Sequence, residues 1–176
     1  MTAGGAWRCI IGCASDCDKR TYLCKRSAVF LKPAAAWTGR ADYLALAERI
    51  AARFLAELPP DGVPRWDLRL PPGAPQHPDT SAGAIAAGGM FRLAALVDPP
   101  QGDVWRGRAT ALLDALATGY AEDRPTAQGL LRGGTYHTAK RLGVNEYFIC
   151  GDYFYFEALL LSAGRCPDLW GPGAAA

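Results

Sequence analysis

The first clear hydrophobic pattern lies between Asp42 and Leu58, where apolar residues recur at intervals of three and four. Its apolar members are Leu44, Ala47, Ile50, Ala51, Phe54, Leu55 and Leu58. Charged residues fill positions between them, so the pattern predicts one helix with a single apolar stripe. The run PPDG at 59–62 ends this helix, because prolines followed by a glycine favour a turn.

A second helix is predicted from Ser81 to about Val97, in the run SAGAIAAGGMFRLAALV. Asp79 or Thr80 is placed to act as its N-cap and to accept a hydrogen bond from a free amide of the first turn. The helix is apolar on nearly all sides and contains three glycines, each of which costs about 1 kcal/mol relative to alanine. This composition predicts a buried helix that another helix approaches closely.

Two further helices are predicted, one from Asp103 to about Gly119 and one that begins near Gly151 and Asp152. Gly119 is a candidate left-handed C-terminal residue. Asp152 is placed to cap the last helix and to favour the positive end of its dipole. The run DPP at 98–100 is expected to end the second helix. No segment is predicted as a strand, so the fold class is all-α with about four helices.

Two long loops separate these helices. The first, 59–78, holds seven prolines in twenty residues, which forbid a helix and leave no room for an interior strand. It contains Trp66 beside Asp67, a pair that suits either a pocket wall or packing against the fold. The second loop, 120–150, is rich in glycine and includes His137. Loops of this length are usually functional or disordered, and the aromatic run that ends this one favours function.

Composition and charge exclude several classes of protein. The chain has 176 residues, half of them apolar, and a net charge of +2, which argues against a disordered chain and an electrostatic nucleic-acid binder. No stretch approaches the roughly 18 consecutive apolar residues of a membrane span. The first residues lack the basic and apolar regions of a secretory signal. We therefore expect a cytoplasmic protein that binds neither nucleic acid nor membrane.

The first 36 residues differ from the rest of the chain. They hold three of the four lysines, lack helical periodicity, and contain Cys9, Cys13, Cys17 and Cys24. The cysteine spacing matches no common zinc pattern, so no metal site is predicted. Two interpretations stay open for this segment: a poorly ordered N-terminal arm, or the product of a mispredicted exon or a shifted reading frame.

Two long runs carry a resemblance to a known family. They are GVPRWDLRLPPGAPQHPDTSAGAIAAGGMFRLAAL, at 62–96, and GTYHTAKRLGVNEYFICGDYFYFEALL, at 134–160. Both resemble the C-terminal part of unsaturated glucuronyl hydrolases, glycoside hydrolase family 88, and WTGRADYL at 37–44 is a weaker match. The resemblance implies that 37–170 is part of an (α/α)6 toroid, with the active site in loops at one end, and that 1–36 does not match.

The resemblance also implies an activity. Members of this family remove a 4,5-unsaturated uronic acid from lyase-generated oligosaccharides by hydrating the vinyl ether double bond. One aspartate acts as general acid and base and a second assists, with no metal or cofactor. Both aspartates lie in the N-terminal half of the family, so no catalytic residue is assigned here; Asp16 and Asp18 lie in no matching context. The family's Trp-x-Arg-Gly-Gln-Ala-Trp stretch is missing from 1–36, which favours misprediction of that segment.

The candidate substrate-binding residues that follow from the resemblance are Tyr153, Tyr155 and His137. A tyrosine at the start of the last helix could stack on a sugar ring, and His137, with Arg132 or Lys140, could face the uronate carboxylate. Tyr155 as a core residue and His137 as a loop-packing residue are the alternatives.

Two hypotheses of function remain at this point. The chain is either part of an unsaturated glucuronyl hydrolase or a non-catalytic fragment or helical module with at most residual carbohydrate binding. Part of a ring would leave apolar helix flanks exposed, so self-association is expected.

Overall fold

Four α-helices and one β-hairpin make up the part of the chain that the structure, a computed structural model, describes: residues 38–67, 73–138 and 140–165. The helices are α1 (Ala41–Ala56), α2 (Thr80–Ala94), α3 (Pro99–Tyr120) and α4 (Ile149–Ser162). The strands are β1 (Gly134–His137) and β2 (Leu142–Glu146). The four predicted helices are thus confirmed. The segment 1–36 lies outside the described residues. None of the described helices is long and apolar enough to cross a membrane.

Helix α2 is the centre of the fold. All of its fifteen residues are buried, and it packs chiefly against α3 and α4. Of the two predicted N-caps, Asp79 is the one observed: its carboxylate accepts hydrogen bonds from the Ala82 amide at 3.4 Å and from Ser81 Oγ at 2.6 Å. A Cβ added at Gly83 would lie 3.2 Å from a methyl group of Leu116 in α3. The small residues therefore let neighbouring helices approach closely, as the sequence predicted.

A buried ion pair joins α2 to α4. Arg92 Nη1 donates to Glu157 Oε2 at 3.0 Å, and Arg92 Nη2 lies 2.5 Å from Glu157 Oε1. The two side chains are only 8% and 4% exposed. Gly88 lies alongside, where a Cβ would be 3.6 Å from Arg92 Nη1 and 3.8 Å from Glu157 Oε2. The pair fixes the register of the two helices, since its bonds form in one relative position only.

Helix α3 begins four residues earlier than predicted. Asp98 is its N-cap and the two prolines form its first turn, where the amides that proline lacks have no partner within the helix. The run DPP thus starts one helix rather than ending the other. The prediction for Gly119 is also wrong: Gly119 lies within α3, which ends at Tyr120, and the C-cap Ala121 has an extended conformation.

The β-hairpin contradicts the prediction that the chain contains no strand. β1 and β2 are antiparallel, with Thr135 opposite Val144 and His137 opposite Leu142. The strands have only four and five residues, and β2 shows no strict alternation of buried and exposed positions, so the usual signal of a strand is missing. The hairpin presents His137 from the end of β1.

Both long loops meet at one end of the helices. Thr80, the first residue of α2, donates from its amide to the Gly133 carbonyl at 3.2 Å and from Oγ1 to the Arg132 carbonyl at 2.9 Å. α4 begins beside α2, since a Cβ at Gly151 would lie 3.4 Å from the Cβ of Ser81. We call the surface formed there by residues 57–67 and 121–138 the loop end.

Candidate functional site

An aromatic cluster lies at the loop end and brings together residues distant in sequence. The rings of Trp66 and His137 are 6.3 Å apart between centroids, and Trp66 Nε1 donates to the Tyr136 carbonyl at 3.4 Å. The ring of Tyr136 lies 5.9 Å from that of Phe148, and Tyr136 is 46% exposed. We define these four residues as the aromatic cluster. It consists of two ring pairs, Trp66 with His137 and Tyr136 with Phe148, which lie on opposite faces of β1 because successive strand residues point to opposite sides.

Polar groups hold the cluster in place. His137 Nδ1 accepts a hydrogen bond from the Lys140 amide at 3.3 Å, which orients the imidazole. The Trp66 amide donates to the His77 carbonyl at 2.9 Å, so the proline-rich loop folds back on itself beside the ring. The half-buried ring of Trp66 contacts His137 at the surface rather than the core. This contact favours a pocket wall over packing against the fold as the role of Trp66.

Arg132 closes the end of α3. Its Nη2 donates to the Gly119 carbonyl at 2.8 Å, and its guanidinium lies 5.7 Å from the centre of the Tyr120 ring. A cation at this position complements the negative end of the helix dipole. The contacts of Arg132 in the structure are with the end of α3, and its side chain is exposed. Its role toward a uronate carboxylate stays a prediction.

Asp152 does not cap α4, contrary to the prediction. The N-cap is Phe148, which makes no side-chain cap bond. Asp152 lies in the first turn, and its Oδ1 instead accepts hydrogen bonds from the Leu130 and Leu131 amides, both at 3.0 Å. A Cβ at Gly129 would lie 2.6 Å from its Oδ2, so a glycine is needed for this approach. Asp152 therefore fastens the loop before β1 to α4.

Replacing Asp152 by alanine is expected to release that loop locally. A hydrogen bond to a charged acceptor contributes about 1.5–3 kcal/mol, and two are lost. Amide hydrogen exchange at Leu130 and Leu131 should accelerate about tenfold or more, since each 1.4 kcal/mol changes an equilibrium tenfold. Asp123→Ala, at an exposed carboxylate of the same loop, should leave both rates unchanged. Equal exchange in the two variants would contradict the fastening role.

A second polar cluster lies next to Asp152. Arg124 donates from Nε to Glu122 Oε1 at 2.9 Å and from Nη2 to Oε2 at 2.5 Å, and the Tyr147 hydroxyl donates to Oε2 at 2.9 Å. The hydrogen bond from Arg124 holds the pKa of Glu122 below its usual range. A cavity of about 350 Å³ opens between these groups, Gly129 and Asp152. Glu122 is therefore an ionised, paired carboxylate, unsuited to donating a proton near neutral pH.

The structure separates the three predicted substrate residues. Tyr153 is 44% exposed on α4 and meets Phe154 edge-on at 5.0 Å. Tyr155 is 6% exposed within the hydrophobic core, and this burial raises the pKa of its hydroxyl. Of the three, only His137 lies in the aromatic cluster. Substrate binding by each of them stays a prediction.

Sequence reasoning did not select Tyr136 or Phe148 as site residues. Tyr136 lies in β1 and Phe148 follows β2, so the contact between their rings depends on a strand pairing that the sequence did not reveal. In the part of the chain that the structure describes, no group of three or more His, Cys, Asp or Glu residues is arranged to hold a metal ion. Cys150 is free and half-buried in the first turn of α4.

Comparisons with known proteins bear on this site. No family model matches the chain. It is 40% identical over 127 residues to an unsaturated glucuronyl hydrolase of Bacillus sp. (strain GL1), which covers 70% of this chain and 34% of that protein. It is also 40% identical over 111 residues to an unsaturated chondroitin disaccharide hydrolase of Streptococcus pneumoniae, which covers 61% of this chain and 28% of that protein.

Solved structures agree with the sequence matches. The crystal structure of the Bacillus sp. GL1 unsaturated glucuronyl hydrolase is similar with a TM-score of 0.74 and 36% identity, over 85% of this chain and 42% of that one. The unsaturated glucuronyl hydrolase of Streptococcus agalactiae is similar with a TM-score of 0.71 and 28% identity, over 78% and 38%.

The four helices and the similar solved structures define the class of protein: this is a mostly helical chain that matches part of an α/α toroid. Its homologues are unsaturated glucuronyl hydrolases, and it spans about a third of the length of the curated relatives it matches. The resemblance and the all-α fold class inferred from the sequence are both confirmed.

Proposed function

We propose that this chain corresponds to the C-terminal part of an unsaturated glucuronyl hydrolase and supplies a wall of its substrate site. The observation that carries the proposal is the aromatic cluster, which lies at one end of helices matching those of the toroid relatives. The Bacillus sp. GL1 relative is responsible for the degradation of glycosaminoglycan, and a mutant of the S. agalactiae relative has been crystallised with dGlcA-GalNAc6S. An unsaturated uronic acid oligosaccharide is accordingly the proposed substrate class.

The chemistry of the cluster suits such a ligand. A sugar ring presents an apolar C–H face that packs on an aromatic ring, and the half-buried indole of Trp66 offers one. Lys140 is exposed next to His137, and a cation there attracts the carboxylate that every uronic acid carries. These groups bind and orient. Protonation of the double bond and addition of water are assigned to carboxylates outside this chain.

A second candidate function follows because the chain spans only about a third of the length of its curated relatives. The chain would then be a non-catalytic fragment whose exposed helix flanks lead to self-association. The exposed apolar residues of α4 favour this candidate, since contiguous apolar surface promotes association. The two candidates differ in whether the loop end binds sugar at all.

Activity measurements test the first proposal. The 176-residue chain alone should not change the ultraviolet absorbance of an unsaturated glycosaminoglycan disaccharide. Fused behind the part of the Bacillus sp. GL1 relative that it does not match, it should consume the double bond. In that fusion Trp66→Ala should lower kcat/KM about tenfold, a loss of about 1.4 kcal/mol, and Trp66→Phe should restore most of it because a ring remains.

Val104→Ala is the matched control, because Val104 is 52% exposed in the first turns of α3, away from the loop end. Turnover by the chain alone would show that it contains its own catalytic groups. An unchanged kcat/KM for Trp66→Ala would show that the cluster is no part of the substrate site.

A further inference from the structure

The hairpin is joined to α4 by two aromatic residues, Tyr147 and Phe148, which lie between the end of β2 and the start of α4. We call them the aromatic link. Phe148 lies directly against β1, since a Cβ added at Gly134 would be 3.0 Å from the Cβ of Phe148, and its ring contacts that of Tyr136. The ring of Tyr147 packs on the loop before β1, where a Cβ at Gly129 would lie 3.0 Å from its Cδ1. The link is therefore held from two sides.

A single carboxylate anchors the aromatic link to the loop that follows α3. The Tyr147 hydroxyl donates to Glu122 Oε2 at 2.9 Å, and the Glu122 side chain is only 9% exposed. The Glu122 amide donates to the Leu130 carbonyl at 3.0 Å, so the backbone that carries the carboxylate is fixed as well. Arg124 donates to both oxygens of this ionised carboxylate. A charged acceptor forms a stronger hydrogen bond than a neutral one, so the Tyr147 hydroxyl is firmly held.

The opposite face of β1 carries the ring pair on which the proposed site rests, Trp66 and His137. Their ring centroids are 6.3 Å apart, and Trp66 Nε1 donates to the backbone carbonyl of Tyr136 at 3.4 Å. The strand is thus held by two neighbours: Phe148 touches its backbone at Gly134, and Trp66 bonds to its backbone two residues further on. A movement of Phe148 therefore displaces β1, and with it His137, relative to Trp66.

We propose that Glu122 is a positioning residue of the substrate site. By holding the Tyr147 hydroxyl, it fixes Phe148 against β1, and β1 in turn presents His137 at a set distance from Trp66. The inference rests on the proposed function, since it assumes that Trp66 and His137 face the substrate. A displacement of about 1 Å at a substrate-positioning contact can cost roughly 100-fold in rate, so this remote carboxylate is expected to control how well the substrate is bound.

Kinetics of the single-chain fusion described above test this role. Glu122→Ala and Tyr147→Phe should each raise KM about fivefold to tenfold and change kcat less than about twofold, because the reacting carboxylates are assigned outside this chain. Both variants remove the same hydrogen bond, so the double variant should raise KM no further than Glu122→Ala alone. Glu122→Gln should restore KM, because its amide oxygen still accepts the Tyr147 hydroxyl. Tyr43→Phe, which removes a hydroxyl in the first turn of α1, is the matched control and should leave both constants unchanged.

A second measurement needs no turnover. In the 176-residue chain, nuclear Overhauser contacts between Trp66 and His137 should weaken in Glu122→Ala and Tyr147→Phe, because the two rings separate when β1 shifts. The contacts should return in Glu122→Gln. Thermal unfolding followed by circular dichroism checks that each variant is folded at the temperature of the measurement. A residue that serves stability alone would lower the unfolding midpoint and leave the ring contacts of the folded chain intact.

The outcomes separate the positioning role from the proposed function. Unaltered ring contacts in both variants would overturn the positioning role, and a raised KM beside them would assign Glu122 or Tyr147 to direct contact with the substrate. Weakened contacts with an unaltered KM, in a fusion where Trp66→Ala does lower kcat/KM, would overturn it too, because the substrate then tolerates the displacement. Weakened contacts in a fusion that Trp66→Ala leaves unaffected would support the positioning of the hairpin and contradict the proposed function.

Discussion

Replacing Glu157 by alanine is expected to lower the free energy of unfolding by about 3–5 kcal/mol, because it leaves the Arg92 guanidinium buried without its counter-charge. Arg92 is 8% exposed and Glu157 4%, so water cannot replace the lost carboxylate. The two residues are 65 positions apart and join α2 to α4, so the variant also removes the polar contact that sets their register. Chemical denaturation followed by far-ultraviolet circular dichroism measures the change.

Two comparisons make this expectation specific. Arg92→Met combined with Glu157→Leu should recover most of the lost stability, since replacing both partners by apolar residues removes the unpaired charge. Glu57→Ala, which breaks the ion pair with Arg53 on the surface of α1, should cost about 1 kcal/mol or less. If Glu157→Ala and Glu57→Ala prove equally mild, the buried pair does not contribute to stability in the way its burial implies.

Replacing Gly133 by alanine is expected to destabilise the chain by about 2–5 kcal/mol and to displace the hairpin. Gly133 has a φ of +81°, which costs an L-residue about 1–2 kcal/mol. Its Cβ would also lie 2.7 Å from Cδ1 of Tyr120 and 3.2 Å from Cγ2 of Thr80, and overpacking of this kind costs about 1–3 kcal/mol. The Gly133 carbonyl accepts a hydrogen bond from the Thr80 amide, so any shift of the Gly133 backbone is transmitted to the start of α2.

The matched control for Gly133→Ala is Gly73→Ala. Gly73 also has a φ of +81°, but a Cβ there would meet nothing within 4 Å. Gly73→Ala should therefore show only the conformational cost, and the difference between the two variants measures the crowding at Tyr120. Unfolding midpoints give the energies, and nuclear Overhauser contacts between Trp66 and His137 report the hairpin position. Equal effects of both substitutions would show that Tyr120 moves aside freely.

The helices could be predicted because their signals are local. The place of Asp79 and Thr80 before an apolar run predicts a cap at one of the two, and the structure selects Asp79; the small residues of α2 predict its burial. The start of α3 was misplaced because two prolines are equally consistent with the end of one helix and the first turn of the next. Whether the run DPP ends one helix or begins the next is decided only by its neighbours in three dimensions.

The site depended on long-range pairing and was less predictable. Trp66 and His137 are 71 positions apart, and no periodicity relates them. Asp152 was expected to satisfy amides of its own helix, yet it accepts bonds from amides 21 and 22 residues earlier. The local sequence does not distinguish these two sets of amides, because a carboxylate in the first turn of a helix can accept from either. The close approach of Asp152 to the loop is possible because residue 129 is a glycine, where a side chain would collide with the carboxylate.

The way in which the loop end is anchored has a consequence for how this surface can diversify. Thr80 and Trp66 hold the second loop by bonding to the carbonyl groups of Arg132, Gly133 and Tyr136, groups that every amino acid shares. The side chains of Tyr136 and His137 can therefore be exchanged while their backbone keeps its place, whereas Gly134 and the buried Thr135 are held by their own contacts. Substitutions at these two positions therefore change the chemistry of the surface without removing the bonds that anchor it, and they can test the proposed sugar binding separately from stability.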